Sequence, residues 1–90
     1  MKPVVIYTRD YCFYCESAKE LLQRKDVVFT EINVTGNQER RAEMIARANG
    51  GRTVPQIFVG DVHVGGSDDL HELDEAGRLD ALLEAEKDNA

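Results

Sequence analysis

Cys12 and Cys15 hold the only thiols of the 90-residue chain, and two residues, Phe13 and Tyr14, separate them. An apolar run, Val4-Val5-Ile6-Tyr7, lies just upstream. A helical pattern follows, with Ala18, Leu21 and Leu22 on one face. The pair thus sits where a strand hands over to a helix N-terminus. Unpaired backbone N–H groups and the positive end of the helix dipole gather there. A thiolate at such a place is stabilised relative to a thiol, and Cys12 is expected to occupy it. Cys15, one turn further in, is near enough to close a disulfide with Cys12. This spacing beside a strand–helix–strand pattern reads as a redox dithiol.

A zinc half-site and a pair of inert structural thiols are the competing readings. Zinc takes about four ligands. The remaining candidates, His63 and His71, lie far downstream at a spacing wider than such sites use. No metal site is expected from the protein's own side chains, and neither histidine receives a role.

Two further stretches could complete a site. In Thr53-Val54-Pro55 the proline is, on the simple reading, one that opens a strand without losing a ladder bond. A cis bond after Val54 would instead turn the Val54 N–H and C=O toward the sulfur pair, where they could pair with an extended peptide. Gly65-Gly66-Ser67-Asp68-Asp69 is, on the simple reading, a helix start with Ser67 as N-cap. Its glycines also admit a ligand close to the backbone, and its N–H groups favour a carboxylate. Asp68 or Asp69 could pair with an ammonium group. The γ-glutamyl end of glutathione carries both groups on one carbon, and that tripeptide brings a thiol. Arg9, three residues ahead of Cys12, could support the thiolate or hold the far carboxylate. Arg47 and Arg52 could exert the same pull. Tyr14 could offer its hydroxyl or pack on a bound tripeptide.

The elements that must position these residues follow from pattern. Residues 3–8 read as a buried strand, and Thr8-Arg9-Asp10-Tyr11 as the loop that delivers Cys12. Helix one is expected from about Phe13 to Lys25, and a second strand over 27–34, parallel to the first. Asn37 is the expected N-cap of helix two, whose apolar stripe would be Ala42, Ile45 and Ala46, and Asn49-Gly50-Gly51 would stop it. Gln56–Val59 and Val62–Val64 flank Gly60-Asp61, which reads as a tight hairpin. Ser67 opens helix three, with Leu70 and Leu73 inward. Gly77 marks a break, and Leu79, Leu82 and Leu83 continue in a short last helix. The order is βαβαββα plus a C-terminal helix: an α/β fold, a four-stranded mixed sheet flanked by helices. Phe29, Ile32, Ile57 and Phe58 are expected in the core, and Lys87-Asp88-Asn89-Ala90 is expected to fray.

Length indicates a single domain over 1–90. With 42% apolar and 31% charged residues the balance is that of an ordinary globular chain. The sequence has no apolar run long enough to cross a bilayer and no signal-peptide core, so the expected location is the cytoplasm. A permanent disulfide is not expected there, which favours a reversible one. Net charge is −6, with nine acids and two bases from Ser67 onward and eight acids and nine bases before it. That distribution argues against nucleic acid as a partner, and the C-terminal acids are expected to solvate outer helix faces.

Four blocks carry a resemblance across nearly the whole chain: Tyr7-Thr8-Arg9, Cys12-Phe13-Tyr14-Cys15, Thr53-Val54-Pro55-Gln56-Ile57-Phe58, and Gly65-Gly66-Ser67-Asp68-Asp69-Leu70. In this order they resemble a glutaredoxin of the small bacterial dithiol class. The resemblance implies a thioredoxin-like fold and a glutathione-dependent thiol–disulfide oxidoreductase, with glutathione as co-substrate. It implies Cys12 as nucleophile and Cys15 as resolving thiol. The glutathione-binding set it implies is Arg9, Tyr14, Thr53, Val54, Pro55, Gly66, Ser67, Asp68 and Asp69, with Pro55 cis. Implied partners are glutathionylated or disulfide-bonded proteins, ribonucleotide reductase among them for the family, met by a monomer. The chain departs from the usual pattern at Phe13, where proline is common, at Arg9, where lysine is common, and at Ser67, where some relatives carry a further cysteine.

Two other functions are open. Two subunits could share a [2Fe–2S] cluster through two Cys12 thiolates and two glutathione thiolates; relatives that lack the motif proline bring this to mind, whereas Cys15 competes by closing a disulfide. A donor reduced by thioredoxin reductase is the other, and the Gly65–Asp69 cradle argues against it.

Overall fold

The central strand is β1 (Val4–Thr8), which pairs in parallel with β2 (Phe29–Asn33) and antiparallel with β3 (Gln56–Val59). β4 (Val62–Gly65) pairs antiparallel with β3, so the sheet order is β2-β1-β3-β4. These elements belong to a computed structural model that describes residues 2–84; the expectation for Lys87-Asp88-Asn89-Ala90 lies outside the described residues. Alternation along β1 and β3 assigns each side chain to a face. Val4, Ile6, Ile57 and Val59 point to one side, where they pack with Ala18, Leu21 and Leu22 of α1 (Phe13–Arg24). Leu70 of α3 (Ser67–Glu75) and Leu79 and Leu83 of α4 (Leu79–Glu84) complete that layer. Tyr7 and Phe58 point to the other side and meet Met44 and Ala48 beside α2 (Gln38–Arg47). The expected mixed sheet with helices on both faces is therefore present.

Three local expectations need correction. The second strand begins at Phe29 rather than at residue 27. Asp26 takes a left-handed φ of 57°, and the Val27 N–H turns back to the Leu22 carbonyl at 3.0 Å. This is the capping geometry of a helix end, with buried Val27 as its hydrophobic contact, so the residue serves α1 instead of the sheet. In α2 the inward residues are Met44 and Ala48, with Ile45 partly buried, while Ala42 and Ala46 are exposed. The rotation follows from Tyr7, whose hydroxyl donates to Glu43 and accepts from Arg47 Nη1 at 2.9 Å. Those two partners, one turn apart, bring the 43–47–48 side of the helix down on the sheet. In α3 the N-cap is Gly66, not Ser67, which is the first helical residue and buried.

The caps expected at Asn37 and around Asn49 are present. The Asn37 side chain accepts from the Arg40 N–H at 3.0 Å. Asn49 itself holds the left-handed position, φ 53°, and the Gly50 N–H returns to the Ile45 carbonyl at 2.8 Å. Between β3 and β4 the register shifts by one residue near Val64. Such a bulge re-aims the chain, here directly into Gly65 and Gly66.

Candidate active site

Cys12 is itself the N-cap of α1, in extended conformation, and its Sγ accepts the Cys15 N–H at 3.2 Å. A sulfur so placed takes the role that an oxygen usually plays in satisfying a free helix N–H. Phe13 supplies bulk beside it but no cap bond to the sulfur, and its ring is exposed with Tyr14 edge-on. The loop before Cys12 is braced from outside. Asp10 receives a side-chain bond from Asn33 at 2.9 Å and donates its N–H to Thr35 at 2.8 Å. Tyr11, wholly exposed, takes φ 57° and turns the chain into the cap.

The two thiols are free and unequal. Cys12 keeps 7% of its surface exposed and Cys15 none. Burial pushes the Cys15 thiol up to about 12, with its hydrogen bond to Cys12 adding to the rise and a backbone bond at Arg9 opposing it. Cys15 is therefore held protonated across the neutral range, and Cys12 is the sulfur open to attack or be attacked.

Opposite Cys12 stands the Thr53–Pro55 segment. The Val54–Pro55 peptide is cis, and the Val54 carbonyl lies 3.9 Å from Cys12 Sγ. From Val54 a cleft of about 660 Å³ runs to the start of α3. Cys12 does not line it and reaches it through Val54, whose carbonyl is 3.9 Å from its Sγ. Arg9, Tyr14, Thr53, Val54, Pro55, Gly66, Ser67, Asp68 and Asp69 all line it, so the structure brings the whole expected set together around one space. Arg52 lines it too, whereas Arg47 does not: it packs its guanidinium on the Phe58 ring at 4.2 Å.

Arg41, Gln56 and His63 also line the cleft and were not expected there. Arg41 is one of seven arginines, and nothing in its sequence neighbourhood sets it apart. Arg9, Arg41 and Arg52 thus give the cleft cationic groups, with Arg41 Nη2 on the Arg52 carbonyl at 3.5 Å, and the first turn of α3 gives it an acidic end. At that end Asp69 bends back and accepts the Gly66 N–H at 3.0 Å, while Asp68 is exposed.

Gly65 makes that turn possible. Its φ is +116°, and a Cβ added there would fall 2.3 Å from the Asp69 carboxylate. Gly65→Ala is expected to cost roughly 1–3 kcal/mol through strain and loss of the Asp69 cap. Urea unfolding checks this; an unchanged midpoint would show that the turn relaxes freely.

A mixed sheet flanked by helices, with a Cys-x-x-Cys at a helix N-terminus, gives the chain the thioredoxin-like fold of a thiol–disulfide oxidoreductase. Residues 4–64 match the family model described as Glutaredoxin. The chain belongs to the glutaredoxin family. It is 61% identical to a glutaredoxin of Pseudomonas aeruginosa over 85 residues, which is 94% of this chain and 100% of that one. The solution structure of glutaredoxin from Brucella melitensis superposes with a TM-score of 0.83 at 52% identity, covering 99% of this chain and 96% of that one. A crystal structure of a buckwheat glutaredoxin–glutathione complex superposes at 0.82 with 29% identity, covering 91% and 76%. No helix of the described residues is long and apolar enough to cross a membrane.

Proposed function

We propose that the chain is a glutathione-dependent oxidoreductase that reduces glutathione mixed disulfides and protein disulfides in the cytoplasm. The observation that carries this reading is one cleft lined by three arginines, by the start of α3 and by Val54, whose carbonyl lies beside Cys12 Sγ. Glutathione is extended, with a lone carboxylate at one end and an amino-acid head at the other. Arg9, Arg41 and Arg52 suit the first, by charge-assisted bonds. The Ser67 N–H, at the start of α3, suits the head's carboxylate, and Asp68 its ammonium group. Asp69 is engaged in its own cap and shapes the loop. Val54 offers backbone groups to the middle of the tripeptide. The buckwheat relative seen with glutathione supports the same occupant here.

The chemistry then runs through two exchanges. The Cys12 thiolate attacks the glutathione sulfur of a mixed disulfide; the protein thiolate leaves and takes a proton. Glutathione, as thiolate, attacks the sulfur of the tripeptide held on Cys12, giving oxidised glutathione and free Cys12. With a protein disulfide, Cys12 first joins one substrate sulfur. Cys15 then loses its proton and attacks Cys12, releasing the reduced substrate, and two glutathiones reopen the internal disulfide.

The test is turnover of a small glutathione mixed disulfide by the full chain. Turnover should rise with glutathione concentration; a protein that works only with thioredoxin reductase contradicts the reading. Among the described residues no group of three or more His, Cys, Asp or Glu side chains is placed to hold a metal. A shared cluster would therefore draw on Cys12 and external thiolates, and anaerobic reconstitution with iron, sulfide and glutathione tests it separately.

A further inference from the structure

His63 stands on the outer strand β4 opposite Phe58. Its ring stacks on the Phe58 ring at 4.8 Å, with 23° between the planes, and its Nε2 lies 2.6 Å from Oε1 of Gln56. Gln56 is buried, and the other end of its amide, Nε2, donates to the Thr53 carbonyl at 3.0 Å. A carbonyl oxygen only accepts, so the Gln56 nitrogen must face Thr53 and its oxygen must face His63. His63 Nε2 must then carry a hydrogen, in the neutral ring as in the charged one. The chain of bonds ends one residue before Val54, whose carbonyl meets Cys12 Sγ.

We propose that His63 is a positioning residue for the glutathione-binding edge: its Nε2–H holds the Gln56 amide, which fixes the Thr53 carbonyl and with it the placing of Val54 against Cys12. This rests on the glutathione reading above, since Val54 is the group a bound tripeptide would meet. His63 itself need touch neither substrate nor sulfur.

Two measurements test it. In nitrogen-15 NMR of the reduced full chain without glutathione, the neutral His63 ring is expected as the Nε2–H tautomer. The Nδ1–H tautomer overturns the proposal. In glutathione-coupled turnover, His63→Phe keeps a ring on Phe58 and deletes the N–H. Its KM for the mixed disulfide is expected to rise about 3- to 10-fold, the scale of one lost hydrogen bond. Its kcat should move less than about twofold. His63→Gln, which again offers an N–H, should recover most of the lost KM. An unchanged KM in His63→Phe, or no recovery in His63→Gln, overturns the proposal. A wild type idle with glutathione would instead overturn the functional reading, and the Nδ1–H tautomer would still overturn the relay by itself.

Discussion

Cys12→Ser is expected to cut turnover of a glutathione mixed disulfide by at least about a hundredfold, ~2.7 kcal/mol of barrier. The hydroxyl is a far weaker nucleophile than a thiolate and does not form the mixed disulfide. Cys15→Ser is expected to stay within about threefold of wild type on the same substrate, because glutathione and not Cys15 clears Cys12. On a protein disulfide the same variant should stall, since the resolving attack is gone. The asymmetry rests on exposure: Cys12 retains accessible surface and Cys15 has none. Equal losses from both substitutions on the mixed disulfide would contradict the assigned roles.

The second large effect is on stability at alkaline pH. The Cys15 thiol is pushed up from 9.0 to about 12 by burial. Between those values the unfolded chain has released this proton and the folded chain still holds it. The contribution to stability is thus full below about 9 and falls as pH rises toward the folded value. The reduced wild type should lose up to ~1.4 kcal/mol per pH unit in that window relative to Cys15→Ala, because titrating groups out of contact with Cys15 cancel in the comparison. Urea unfolding under reductant at two alkaline pH values measures the difference. Parallel slopes for the two proteins would mean that Cys15 is not held protonated by the fold.

How much of this was legible before the structure depends on whether a feature is local. The Asn37 cap, the Gly60-Asp61 hairpin and the Cys12 helix start are set by neighbouring residues, and all three are where their sequence places them. The face of α2 is not local. Ala42–Ala46 and Met44–Ala48 are both possible i,i+4 stripes, and Tyr7, in a distant strand, selects the second through Glu43 and Arg47. Val27 has the residue type of a strand, and its use in capping α1 depends on Asp26 adopting a left-handed turn. The N-cap of α3 falls on Gly66 because Asp69 folds back on it, a bond that an Asp in the first turn permits but does not require. The site itself was legible in its four sequence blocks. Arg41 and His63 reach it only through the lie of α2 and the sheet register, which no short stretch encodes, whereas Gln56 follows directly on Pro55.

The cleft's occupant can be observed directly. Cys15→Ser, glutathionylated at Cys12, should show its largest amide shift changes in proton–nitrogen NMR at Val54 and at Gly66 through Asp69. Changes confined to the groove along α1, at Phe13, Ser17 and Gln23, with Gly66 to Asp69 unmoved, would contradict this placement of the tripeptide.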